Sequence, residues 1–132
     1  MNQGFDLSSV LTGLLYGREA AESLEQTLDR LVAPNVVLRM NGQVYDRSGF
    51  AAHISEMRQL TAGGGEIRVL EQLGADNRTA GRYLLRMKSA EGKSLTVEAH
   101  VFATVNDGRV ERLAEVARPV EDDAEENFLA DT

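Results

Sequence analysis

Along the stretch SLTVEAHVFATV, residues 94–105, glutamate, histidine and phenylalanine occupy alternate positions. Side chains of a strand alternate between two faces, so Glu98, His100 and Phe102 share one face with Thr96 and Thr104. Leu95, Val97, Ala99, Val101, Ala103 and Val105 form the other. An imidazole two residues from a carboxylate, beside an aromatic ring, is a proton-transfer pair in outline: the carboxylate orients the ring and the ring moves the proton. The same glutamate is also an ordinary cross-strand ion-pair partner for Arg82 or Arg86. His53 is the one other histidine, and it shares a helical face with Phe50, Ile54 and Met57. A histidine there is more often a hydrogen-bonded core residue than a catalyst. Neither histidine belongs to an HxH or HExxH pattern, so no metal site is expected.

Other chemistries have less support. The chain has no cysteine, which excludes disulfides, thiolate metal sites and cysteine nucleophiles. Gly63-Gly64-Gly65 follows a helix and precedes a strand, the wrong order for a phosphate loop, and reads as a helix stop. No serine lies in a G-x-S-x-G elbow. The formal charge of −7 is mostly a tail: residues 121–132 hold six acids and no base, leaving −1 on residues 1–120. A body without basic excess argues against nucleic acid. The tail is expected to be solvated and disordered, with Phe128 and Leu129 as its means of docking on the body. The N-terminus lacks a basic start with an apolar run, and no stretch approaches a membrane span, so the chain reads as soluble and cytoplasmic.

The elements that must position these residues fit one domain over residues 1–120 of the 132-residue chain. The first third reads as helix in two pieces broken near Gly17, the second carrying an apolar stripe of Ala21, Leu24, Leu28, Leu31 and Val32 and stopped by Pro34. Val36–Tyr45 is a small hairpin turning at Asn41-Gly42. Ser48 is placed to cap a helix to about Leu60. Four strands follow, over 66–73, 78–88, 94–105 and 109–120, separated by turn residues. This order predicts an α+β fold, with N-terminal helices packed on a strongly curved antiparallel sheet that encloses a pocket. The row Leu95 to Ala103 is too apolar to face water, and predicts a homodimer through the convex sheet face, or its cover by a terminal segment.

The stretches LDRLVAPNVVLRMNG, YDRSGFAAHISEM and VEAHVFATVNDGRVERLAEV, in this order and spacing, resemble the nuclear transport factor 2-like superfamily of SnoaL-like polyketide cyclases and ketosteroid isomerases. The resemblance covers roughly residues 10–118. It implies a cone-shaped fold, dimers, and an apolar pocket between helices and concave sheet, with the Glu98, His100 and Phe102 face turned inward. Carried over by position, Tyr16 falls where the isomerases keep an oxyanion-hole tyrosine and His100 where they keep a protonated aspartate. Met40 falls where they keep the aspartate that moves the proton, which removes the steroid isomerase mechanism, since a thioether is no base. Glu115 lies near the acid that polyketide cyclases use, on the closing strand.

Two readings follow. One is a cofactor-independent isomerase or cyclase acting on a mostly apolar carbonyl compound, with His100 as acid or base, Glu98 orienting it, and Tyr16 or His53 at the oxyanion. Phe102, Met40, Phe50, Met57, Tyr83 and Glu115 would line its pocket. The other is a ligand-binding or dimeric assembly module that turns nothing over. Tyr16 also reads as a packing tyrosine with its hydroxyl at the rim.

Overall fold

A computed structural model describes residues 5–121. The predicted tail, beyond Glu121, lies outside the described residues. Three helices precede and interrupt a six-stranded sheet: α1 (Leu7–Tyr16), α2 (Leu24–Leu31), β1 (Val32–Met40), β2 (Gln43–Tyr45), α3 (Arg47–Leu60), β3 (Gly64–Ala75), β4 (Arg78–Lys88), β5 (Ser94–Asn106) and β6 (Arg109–Pro119). No helix among the described residues is long and apolar enough to cross a membrane.

Each helix starts where a short polar side chain satisfies its free N–H groups. The Asp6 carboxylate accepts from the Ser8 N–H, and Ser23 and Gln26 form a reciprocal capping box. Asp46 caps α3 by accepting from the Gly49 N–H at 2.8 Å, so the cap lies two residues before the expected Ser48. In α1, Leu7, Val10, Leu11, Leu14 and Leu15 recur at three- and four-residue steps and are all buried. The stripe predicted from Ala21 to Val32 is shorter in the structure, since Ala21 precedes the helix and Val32 opens β1. Pro34 lies inside β1, three residues beyond the end of α2.

The sheet order is β2-β1-β6-β5-β4-β3. All neighbours are antiparallel except β1 and β6, which run parallel, so the expected wholly antiparallel sheet is corrected at that pair. Bulges between Val69 and Glu71 and between Thr104 and Val105 bend the strands around the helices. The Gly63-Gly64-Gly65 run does more than stop α3, because Gly64 and Gly65 already pair with Lys88 and Met87. Gly65 has φ +144, and a Cβ there would lie 2.8 Å from Cε1 of Tyr16, so only glycine lets α1 close on β3. At Gly81 the Tyr83 ring folds back over the bare Cα; an added Cβ would sit 2.7 Å from Tyr83 Cε2.

Which face of β5 turns inward is the main correction. Ala99 and Val101 are fully buried, and Ala103 and Val105 nearly so, against the helices. Phe102 is 66% exposed and His100 is also exposed. The small aliphatic row is therefore the concave core face, and Glu98, His100 and Phe102 stand on the convex one. The row proposed for dimerisation is buried within its own chain. Small side chains suit the concave side, where Tyr83 and the leucines of α1 fill the narrowing space.

Candidate active site

Between α1, α3 and the concave sheet lies a cavity of about 460 Å³. Its apolar wall includes Leu11, Met40, Phe50, Ile54, Met57 and Leu85; Asn41, Gln43, Tyr45, His53, Glu115 and Arg118 bring polarity to one side. The two helical walls are locked together. Arg58 of α3 donates from Nε to the Leu14 carbonyl at 2.8 Å and from Nη2 to the Gly13 carbonyl at 3.1 Å. The Thr61 hydroxyl donates to the Leu15 carbonyl at 2.7 Å. Carbonyls that end α1 unpaired are thus satisfied by α3 rather than by water.

Glu115 is the acid of this cavity. The concave positions of β6 are Leu113, Glu115 and Ala117, and all three line it. Burial among apolar groups disfavours the carboxylate and pushes the Glu115 pKa up to about 7. Its register row reads Gly81, Val101, Glu115, Met40, Gln43 across five strands. Glu115 is thus the direct cross-strand partner of Met40. The β1–β2 turn holds this part of β6 in place. The Asn41 N–H donates to the Glu115 carbonyl at 2.9 Å, and Asn41 Oδ1 accepts from the Ala117 N–H at 2.8 Å. Asn41 does this at φ 50, a left-handed conformation that asparagine tolerates.

His53 supplies the donor, and Tyr45 packs beside it. Their rings lie 5.3 Å apart, tilted by 31°, and the Tyr45 hydroxyl donates to Gln43 Oε1 at 2.9 Å. Burial pulls the His53 pKa below its ordinary value, against a weaker upward pull from Glu56. The ring is neutral at pH 7, with one N–H to donate and one nitrogen to accept.

The structure sorts the expected residues into three groups. His53, Met40, Phe50, Met57 and Glu115 line the cavity as anticipated. Tyr16 and Tyr83 do not. The Tyr16 hydroxyl meets the Arg86 and Glu66 carbonyls at 2.8 and 3.1 Å, which fastens α1 to the sheet and leaves no proton for an oxyanion. Burial and the Glu66 charge push its pKa up to about 12. The Tyr83 hydroxyl donates to Gln72 Oε1 at 2.7 Å, toward the N-terminus of α1. Burial and the Asp6 charge raise its pKa.

Glu98, His100 and Phe102 form the third group, outside the cavity. His100 Nε2 lies 2.6 Å from Glu98 Oε2, so the pair exists. It faces outward, and Arg118 Nη2 approaches the other carboxylate oxygen at 2.9 Å. Arg82 and Arg86, expected to pair with Glu98, pair with Glu71 and Glu66 instead. Four polar wall residues were missed as site residues: Arg118 at the end of β6, and Asn41, Gln43 and Tyr45 at the β1–β2 hairpin. The sequence signal for the last three was the hairpin turn itself, which brings the start of the next strand to the same rim.

A family model described as a SnoaL-like domain matches residues 17–113 of the chain. Several solved structures share the fold. IdmH from Streptomyces antibioticus superposes with a TM-score of 0.64 at 16% identity, over 95% of this chain and 98% of that one. A SnoaL-like polyketide cyclase from Agrobacterium tumefaciens gives 0.62 at 17%, over 92% of each chain. The de novo designed NTF2 fold protein NT-9 gives 0.58 at 15%, over 96% of this chain and 91% of that one. A designed protein and a cyclase thus share the architecture, so activity has to be argued from side chains. No curated protein matches the chain.

Proposed function

Because the chain belongs to the SnoaL-like domain family, we propose that its cavity binds a small, mostly apolar carbonyl compound and moves a proton on it, with Glu115 as acid and base. One observation carries this reading: a carboxyl pushed up to about 7 inside an apolar cavity, beside the Met40 position where the related isomerases keep their aspartate. The proton-moving group is displaced by one strand. A group that titrates near neutrality has both forms present at working pH, as general acid–base catalysis requires.

In the proposed step the Glu115 carboxylate takes a proton from the carbon next to the substrate carbonyl. The C–H electron pair becomes the C=C bond of an enolate, and the carbonyl oxygen gains the charge. Neutral His53, through its ring N–H, supplies a hydrogen bond to that oxygen. Where the substrate is β,γ-unsaturated the intermediate is a dienolate, and protonated Glu115 returns the proton to its γ-carbon while the C=C moves into conjugation with the restored carbonyl, which is isomerisation. Alternatively the enolate carbon attacks a second carbonyl and Glu115 protonates the new alkoxide, which is cyclisation. Neither path needs a cofactor. The apolar wall from α1 and α3 excludes water and favours a flat or branched hydrocarbon body.

The test is solvent exchange at the α-carbon of apolar ketones and aromatic polyketide mimics in D2O, followed by proton NMR. Wild type is expected to catalyse exchange, and Glu115→Gln to lose about 100-fold or more of the rate. Binding without exchange would assign the chain to the non-catalytic pocket proteins instead.

A further inference from the structure

The convex face holds a second concavity, a groove of about 740 Å³ on the far side of the sheet from the cavity. One register row crosses all six strands beneath it: Leu73, Ala80, Phe102, Ala114, Arg39 and Val44. The alanines make a low floor. Phe102, Leu73 and Val44 stand 66%, 65% and 60% exposed around it. Arg39, Arg78 and Arg112 also line it, and among the described residues these three form no ion pair. Elsewhere on the same face arginines are matched, Arg82 by Glu71 and Arg86 by Glu66. Among the described residues, the apolar groove of this chain of net charge −7 thus keeps three cations that no acid matches.

We propose that this groove is the docking site of the chain's own C-terminal segment, residues 122–132, DDAEENFLADT. The complementarity is of two kinds. The segment carries Asp122, Asp123, Glu125, Glu126 and Asp131 with no base, opposite the three arginines. It carries Phe128 and Leu129 opposite Phe102 and Leu73. Reach is sufficient. The Val120 N–H donates to the Thr96 carbonyl, so the chain leaves the sheet at the end of β5 remote from Phe102. The six residues of β6 from Val120 back to Ala114, the partner of Phe102, span about 20 Å. With about three residues used in the reversal, the five from Asp123 to Phe128 span about 17 Å, and the phenylalanine side chain and Leu129 cover the remaining few ångströms. A segment that turned back along β6 would pass Arg118 and the exposed Val116 on its way.

The absence of cysteine permits a clean experiment on the full chain: Ala130→Cys, labelled with a nitroxide, and amide signals recorded by NMR. The amides of Phe102, Thr104 and Ala114 are expected to lose most of their intensity. The loss should be reversed by Arg78→Glu with Arg112→Glu, by Phe128→Ser with Leu129→Ser, and by raised salt. These substitutions are on exposed groove positions or in the segment itself, and thermal melting checks the fold. Mixing spin-labelled, isotope-free chain with unlabelled, isotope-enriched chain separates the sources. Broadening in the mixture alone would put the segment of a second copy in the groove and overturn docking within the chain. Signals that stay sharp, or a groove covered by the sheet face of a second copy regardless of Phe128 and Leu129, would overturn the proposal altogether.

Discussion

Replacing Glu115 by glutamine gives a stability change whose sign and pH range follow from the structure. Burial raises the folded-state pKa from 4.5 to about 7. Below the unfolded-state value both states are protonated and the group costs nothing. Between it and about 7 the unfolded chain ionises while the folded one holds its proton, so the folded state binds more protons and stability falls as pH rises. At 1.36 kcal/mol per unit the fall levels off near about 3 kcal/mol above neutrality. Glutamine has no such titration, so Glu115→Gln should be progressively more stable than wild type from pH 5 to pH 7 and hold a constant advantage beyond. Any fixed cost of burying an amide shifts the whole difference without changing its slope. Urea denaturation of both proteins at half-unit steps from pH 4 to pH 8.5 measures it. Parallel curves across that range would mean that water reaches the carboxyl freely, and would remove the physical basis for its acid–base role.

His53 should show the opposite sign. Its depressed pKa leaves stability unaffected above the ordinary histidine value and lowers it as pH falls below, because the unfolded chain takes up the proton first; NMR titration of the ring should place its midpoint below 6.5. His100→Ala, on the outer face, should leave α-proton exchange and ligand affinity unchanged, and a loss comparable with Glu115→Gln would show that the convex face takes part. Arg58→Ala should cost about 2 kcal/mol, since the Leu14 and Gly13 carbonyls lose charged donors, and should raise hydrogen exchange at the end of α1. Gly81→Ala should cost about 1–3 kcal/mol by driving Tyr83 from its place, and Tyr83→Phe should not rescue it, because ring carbons also meet the new Cβ.

Local signals carried much of the fold. Asn41-Gly42 marked the first hairpin because both residues take positive φ, at 50° and 86°. The four later strands were bounded by turn residues, and the stripe of α3 was visible as three- and four-residue steps. What failed was non-local. Alternation along residues 94–105 separates two faces but does not say which meets the helices, and the small row was read as outward. Phe102 is exposed although aromatic, and Glu98 is buried although charged, held there by His100 and Arg118. Pairwise partners from other strands reversed the expectation from residue type. The parallel pairing of β1 with β6 was equally invisible, because nothing near Val36 refers to Leu113. Glu115, by contrast, was legible as a pocket residue on the closing strand, where it is the one acid in the inward row Leu113, Glu115, Ala117.

The turn at Asn41-Gly42 also decides where this scaffold accepts change. At the β4–β5 and β5–β6 connections insertions would extend into solvent, and the Gly92 and Gly108 tips have no heavy atom near the place a Cβ would take, whereas the β3–β4 tip is tied to β5 by the Val105 N–H donating to the Asn77 carbonyl at 2.8 Å. The β1–β2 turn looks similar in sequence and has the same open space at Gly42. Yet its first residue holds the backbone on both sides of Val116, so a residue inserted there would loosen the strand that carries the acid. Loop grafting or circular permutation should therefore be well tolerated at the β4–β5 and β5–β6 tips and poorly at the β1–β2 turn. That turn lines the cavity, the place where a designer seeking altered substrate range would first be drawn.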